Sequence, residues 1–117
     1  MKILVIDDEV NITKALKRGL TGKGHEVTIL DDGLAGMEYL TESHENYDLV
    51  LCDVRMPKLD GISMIQKLRD NAIDIPVVIM SGHIESGVLN TVAGLGNYNL
   101  LPKPFTFKSL LSLIERV

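Results

Sequence analysis

The side chains best suited to chemistry in this chain are few and differ in kind: the run Asp7-Asp8-Glu9, a single Asp53, the pair Ser81-Gly82 and the pair Lys103-Pro104. Carboxylates brought within a few ångströms raise one another's pKa unless a cation lies among them. A hard divalent ion relieves that repulsion, and Mg2+ characteristically combines one or two carboxylates with waters and phosphate oxygens. His25, His44 and His83 are scattered and Cys52 is the sole cysteine, a poor basis for a zinc site. Phosphoryl transfer would use every member of the set. It passes through a state with charge spread over three equatorial oxygens. A metal could take one oxygen, the Lys103 ammonium another, and the Ser81 hydroxyl with nearby backbone N–H groups the third. A carboxylate can itself be the nucleophile and form an acyl phosphate. Asp53 stands alone, whereas Asp7 and Asp8 come as a pair suited to holding metal. Asp53 is therefore the candidate nucleophile.

Each residue also has a blander reading. Asp7 or Asp8 could cap a helix, since Asp is a favoured N-cap residue. Asp53 could accept backbone hydrogen bonds in the loop before Pro57, Ser81 could be a turn residue, and Lys103 a solvated surface charge. The chemical reading rests on conjunction, so the elements that position these residues decide it.

Two periodicities alternate along the chain. Ile3-Leu4-Val5-Ile6 is a continuous apolar run, the pattern of a strand buried on both faces. Residues 9–23 then place Ile12, Leu16 and Leu20 on one helical stripe, with Gly22 and Gly24 as stop signals. Residues 27–30 read as a second strand closed by Asp31-Asp32-Gly33, and residues 34–43 as a second helix. A third strand covers 48–52, a loop 57–61, and a helix striped by Ile62, Ile65 and Leu68 follows to about Asn71. Residues 77–80 and 98–101 give the fourth and fifth strands, and Phe107, Leu110, Leu111 and Ile114 mark a last helix. Between them, residues 85–96 carry Gly87, Gly94 and Gly96. Each interior glycine costs a helix about 1 kcal/mol, so a weak fourth helix is expected there. Alternating strands and helices imply a parallel α/β sheet covered on both faces. In such sheets ligands bind beyond the C-terminal strand ends, and every residue singled out above directly follows a strand.

Composition bounds the rest. A length of 117 residues with 45% hydrophobic and 24% charged residues suits one globular domain spanning 1–117. No stretch nears the roughly 18 apolar residues of a membrane span, and no signal peptide is expected before the first strand. The lone Cys52 cannot form an intrachain disulfide, which suits a reducing cytoplasm. A formal net charge of −4 has the wrong sign for wrapping nucleic-acid phosphates.

Four pieces taken in order carry a resemblance. Ile-Leu-Val-Ile-Asp7-Asp8-Glu9, Leu-Val-Leu-Cys-Asp53-Val-Arg-Met-Pro57 with Leu-Asp60-Gly61, Val-Val-Ile-Met-Ser81-Gly-His, and Lys103-Pro104-Phe105 together resemble the response-regulator receiver family over nearly the whole chain. The resemblance implies a flavodoxin-like, doubly wound five-stranded sheet of order 2-1-3-4-5. It implies a phosphoryl donor, a phosphohistidine on a sensor histidine kinase or phosphotransfer protein, and a downstream effector domain or protein. Asp53 then matches the phospho-acceptor, Asp8 the direct Mg2+ ligand, and Asp7 the neighbour that holds metal through water. Arg55 falls where a backbone carbonyl completes the coordination, Ser81 matches the hydroxyl that approaches the phosphoryl group, and Lys103 matches the phosphate-pairing lysine. A cis Lys103–Pro104 bond is also implied. Arg55 and His83 match variable positions that influence phosphate lifetime, and the fourth helix with the fifth strand is the face through which a dimer would form.

One departure bears on output. Three residues before the lysine the family usually carries an aromatic, and here that position is Leu100, with Tyr98 on the same strand face. Order–disorder in residues 85–96 would then replace an aromatic rotamer as the switch. Three rivals frame the reading. A phosphatase of the haloacid dehalogenase type resembles an Asp-x-Asp pattern after its first strand, where this chain has Asp7-Asp8-Glu9, and usually needs room for a cap. A flavin- or nucleotide-binding module needs a first loop that cradles phosphate, and two adjacent aspartates would repel it. A degenerate receiver acting only as an interaction domain gains weight from Leu100 but leaves the complete phosphorylation set without a purpose.

Overall fold

The computed structural model describes residues 1–82 and 94–116. Five strands, β1 (Lys2–Ile6), β2 (Glu26–Leu30), β3 (Leu49–Asp53), β4 (Val77–Ser81) and β5 (Tyr98–Pro102), form one sheet of order β2-β1-β3-β4-β5. Every pairing is parallel. Among the described residues the α-helices are α1 (Val10–Gly22), α2 (Gly33–Ser43), α3 (Gly61–Asp70) and α4 (Phe107–Glu115). A short 3-10 turn, His44–Asn46, leads into β3 without a signal in the periodicity. Of the fourth helix expected within 85–96, residues 94–96 are turn and loop rather than helix; the rest of that expectation and the role expected of His83 fall on residues 83–93, outside the described residues.

The apolar runs become strands because the sheet is buried on both faces. All residues of β3 and β4 are buried, and alternate side chains point to opposite layers. Ile3, Val5, Leu49 and Leu51 pack with Leu16 and Leu20 of α1 and Leu110 and Leu113 of α4. Leu4, Ile6, Val50 and Cys52 face the other way, onto Leu40 of α2 and Met64, Ile65 and Leu68 of α3. Fully burying one such side chain contributes about 1.5–3 kcal/mol, so the two layers make the sheet a rigid support for its strand ends. Tyr98 and Leu100 share one face of β5 and pack against the second layer.

Local chemistry sets the helix ends. The Asp32 carboxylate accepts from Ala35 N–H at 2.7 Å and caps α2, and Asp60 accepts from Ser63 N–H at 2.9 Å and caps α3. Helix α1 runs through Gly22 and is reversed at Gly24, whose φ of 89° lies in the left-handed region. Gly24 N–H bonds Thr21 O and His25 N–H bonds Leu20 O, the paired closure that a residue of positive φ permits after a helix. Helix α3 closes in the same way, but with Ala72 at φ 60° where glycine is usual.

Candidate functional site

Strands β1 and β3 lie side by side with Ile6 opposite Cys52, so Asp7 and Asp53 emerge together at the rim where the strand order reverses. Asp53 is the last residue of β3 and Ser81 the last of β4, one residue further into the ladder than the apolar runs suggest. Val54 N–H bonds Met80 O at 3.3 Å, and Lys103 N–H bonds Ser81 O at 2.7 Å. The backbone beneath the site is thus pinned on both sides of β4. At Gly61 a Cβ would overlap the carbonyl oxygen of Asp53, and Gly61 N–H bonds Val54 O at 2.8 Å. Glycine there lets the start of α3 close against the backbone of Asp53.

Asp7 and Asp53 are buried, and Asp8 is exposed. One carboxylate oxygen from each of the three lies within 4.8 Å of the others. Lys103 Nζ donates to Asp53 Oδ2 at 3.2 Å and to Asp7 Oδ2 at 3.4 Å. The blander readings of Asp7 and Lys103 do not match the geometry. Glu9 is the N-cap of α1 and its side chain makes no capping bond, while Asp7 Oδ1 accepts from Glu9 N–H at 2.9 Å. Lys103, far from being a solvated surface charge, has a side chain only 16% exposed. A cavity of about 290 Å³ opens over the group, lined by Glu9, Asp53, Arg55, Ser81, Gly82 and Lys103. Arg55 is exposed at its edge, and the Lys103–Pro104 bond is cis.

The electrostatics show what the carboxylates lack. Burial raises the Asp7 carboxyl above the usual range; the Glu9 N–H bond and the Lys103 charge pull it back only in part, and Asp53 pushes it further up. Burial pulls the Lys103 ammonium down, yet its hydrogen bond to Asp53 and the charges of Asp7, Asp53 and Glu9 outweigh this and leave it raised. Lys103 therefore stays cationic, and one ammonium still does not make ionised Asp7 comfortable. An all-oxygen donor set with excess negative charge suits a hard divalent cation, so the residues fit Mg2+.

Asp7, Asp8, Asp53, Ser81 and Lys103, singled out by type and position, come together around this rim with Arg55, which the resemblance alone implied. One participant was not singled out for a role. Glu9 Oε1 stands 3.5 Å from Lys103 Nζ. An acidic residue just before a helix reads as an ordinary first-turn charge, so spacing offered no signal for it.

The sequence profile described as response regulator receiver domain matches residues 3–115. The chain belongs to the response regulator receiver domain family. The receiver domain is 34% identical over 117 residues to Response regulator MprA of Mycobacterium leprae (strain TN), covering 98% of this chain and 50% of that protein. It thus spans about half the length of the curated relatives it matches. Among solved structures it is similar to the Francisella response regulator 1452 receiver domain, with a TM-score of 0.88, 30% identity and coverage of 98% and 93% of the two chains. The chemotaxis protein CheY4 of Vibrio cholerae superposes with a TM-score of 0.87 at 24% identity, covering 99% and 97%, which speaks to the fold alone. The receiver domain therefore has the flavodoxin-like architecture of a two-component signalling module. Among the described residues, no helix is long and apolar enough to cross a membrane.

Proposed function

We propose that this receiver domain is a phosphorylation switch whose acceptor is Asp53. The observation that carries the reading is the placement of the Asp53 carboxylate at the C-terminal rim of the sheet, facing Lys103 at 3.2 Å beneath an open cavity. An Asp53 oxygen attacks the phosphorus of a phosphohistidine, the N–P bond breaks, and its electron pair returns to the imidazole. The product is an aspartyl phosphate. Lys103 turns from the acceptor carboxylate to a phosphoryl oxygen, and the Ser81 hydroxyl donates to another. Both interactions strengthen as charge develops on those oxygens. Asp7, Asp8, Asp53 and the backbone carbonyl of Arg55 would hold Mg2+, which supplies positive charge for the phosphoryl oxygens when bound. Water later attacks the phosphorus, the P–O bond to Asp53 breaks, and inorganic phosphate leaves with the carboxylate restored; the domain thus catalyses its own modification and is no turnover enzyme.

The donor is a sensor histidine kinase or phosphotransfer protein, and the output is an effector domain or protein, all in the cytoplasm. Residues 1–117 act as a single receiver unit, and a second copy would pair through the region around β5. The decisive experiment incubates the protein with acetyl phosphate, with and without Mg2+. Intact mass rises by one phosphoryl group only with the metal, and Asp53→Asn abolishes the gain. Uptake that persists in Asp53→Asn, or without any divalent ion, overturns the assignment.

A further inference from the structure

Lys103 faces more negative charge than the transfer chemistry needs. Asp7 and Asp53, at 3.4 and 3.2 Å, belong with Asp8 to the set that could share a cation. Glu9, at 3.5 Å, stands outside that set, with a side chain 58% exposed. It lines the 290 Å³ cavity above Asp53 and also a neighbouring groove of about 600 Å³ with Ile12, Phe105 and Phe107. Its carboxylate therefore sits beside the opening above the acceptor while holding the ammonium from the solvent side.

We propose that Glu9 is a positioning residue that draws Lys103 away from the buried carboxylates and sets the balance between metal binding and acceptance of an anionic phosphodonor. The proposal rests on the phosphorylation of Asp53 argued above. Two consequences have opposite signs. With Glu9 present, Lys103 competes less for Asp7 and Asp53, and one more negative charge stands near the metal, so Mg2+ binds more tightly. The same carboxylate repels a phosphodonor that enters over it and holds the ammonium that should meet the phosphoryl oxygens, so transfer from a small anionic donor is slower. A residue that merely supported the fold would shift both properties in the same direction. Because the Glu9 side chain makes no capping bond to α1, a change to Gln removes the charge without removing a cap.

The test compares the wild type with Glu9→Gln and Glu9→Asp. Mg2+ affinity is measured by calorimetric titration, and phosphorylation by intact mass over a series of acetyl phosphate concentrations at saturating Mg2+. An ion pair whose outer partner stands in solvent, as Glu9 does, is worth about a twofold to fivefold change in an equilibrium. Glu9→Gln should weaken Mg2+ binding by about that factor and raise the second-order rate with acetyl phosphate by a similar one. The rate gain appears mainly as a lower half-saturating donor concentration and shrinks at high salt. Glu9→Asp, which keeps the charge, should stay near the wild type in both. Placed on a Lys103→Met background, Glu9→Gln should have a smaller effect on Mg2+ binding than on the wild-type background, because part of its action passes through Lys103. Changes in the same direction, no change, or an undiminished effect without Lys103 overturn the role of Glu9 while leaving Asp53 as acceptor. A wild type that takes up no phosphoryl group overturns the underlying reading and this proposal with it.

Discussion

Asp53 Oδ2 and Lys103 Nζ stand 3.2 Å apart although 50 residues separate them in the chain. No local structure produces such a contact. It exists because β3 and β5 flank β4 in one parallel sheet, so that Asp53 ends one strand while Lys103 directly follows the other, both at the same rim. The pair sets a positive charge against a buried carboxylate, and in the proposed switch it also places the group that must let go of Asp53 when a phosphoryl group arrives.

Replacing Lys103 by Met keeps most of the apolar stem and removes the charge. Asp7 and Asp53 would then face each other without their shared counter-ion, and leaving buried polar or charged groups unpaired costs about 1–3 kcal/mol. Lys103→Met should lose stability of that order in urea titrations at neutral pH without divalent ions. Added Mg2+ should restore much of it, because a ligand that binds only the folded state stabilises by mass action. The rate of phosphorylation should fall even at saturating Mg2+. Equal stability of the two proteins without metal would show that Lys103 does not neutralise the pair.

The Asp7 carboxyl supplies a pH dependence of defined sign. Burial, with Asp53 adding to it, raises this group above the ordinary carboxylate range, so the folded protein holds the proton more tightly than the unfolded chain. Between the ordinary carboxylate value and the raised one, the folded state binds more protons and stability falls as pH rises; above the raised value the deficit is constant. Asp7→Asn should therefore be more stable than the wild type at neutral pH without metal, with the difference disappearing in acid below the ordinary carboxylate range. Mg2+ responds in the opposite sense. Protons and metal compete for the same oxygens, so affinity for Mg2+ should fall as pH is lowered through the raised Asp7 value. Denaturation and Mg2+ titrations across that window check both halves.

Much of this arrangement is legible in the sequence, because strands buried on both faces write themselves as continuous apolar runs and the candidate site residues follow those runs directly. Asp7, Asp8, Asp53, Ser81 and Lys103 could be placed at one rim by that logic alone. Other features left no such mark. The strand ends at Asp53 and Ser81 are set by ladder hydrogen bonds, and polar residues at strand termini look like loop. The pairing of Glu9 with Lys103 depends on side-chain reach across 94 positions, which periodicity does not report. The left-handed Ala72 closes α3 without the glycine by which such closures are recognised.

Gly61 ties the backbone at Asp53 to α3. A Cβ at this position would overlap the carbonyl oxygen of Asp53, a backbone atom that moves only if the end of β3 moves. Forcing atoms into a well-packed site typically costs about 1–3 kcal/mol. Gly61→Ala should lose stability in that range by denaturant titration. It should also slow phosphorylation by acetyl phosphate, because the displaced atom belongs to the proposed acceptor, Asp53. A change in stability with no change in rate would mean that the strain is absorbed by α3 alone.

Ala72 offers the converse experiment, a gain in stability without an effect on the site. Its φ of 60° lies in the left-handed region, where a residue with a Cβ carries about 1–2 kcal/mol of strain. The conformation is imposed by the closure of α3, in which Ala72 N–H bonds Arg69 O and Ile73 N–H bonds Leu68 O. Glycine would relieve the strain but lose more conformational freedom on folding, a cost of about 0.4–1 kcal/mol. Ala72 is exposed, so little packing is lost with its methyl group. The difference predicts that Ala72→Gly stabilises the domain by about 0.5–1 kcal/mol. Because the residue lies between α3 and the start of β4, at the end of the sheet away from Asp53, the rate of phosphorylation should be unchanged. Urea titration beside the acetyl phosphate assay measures both, and a loss of stability would show that the left-handed turn is held by contacts of the Ala72 methyl rather than by the helix closure.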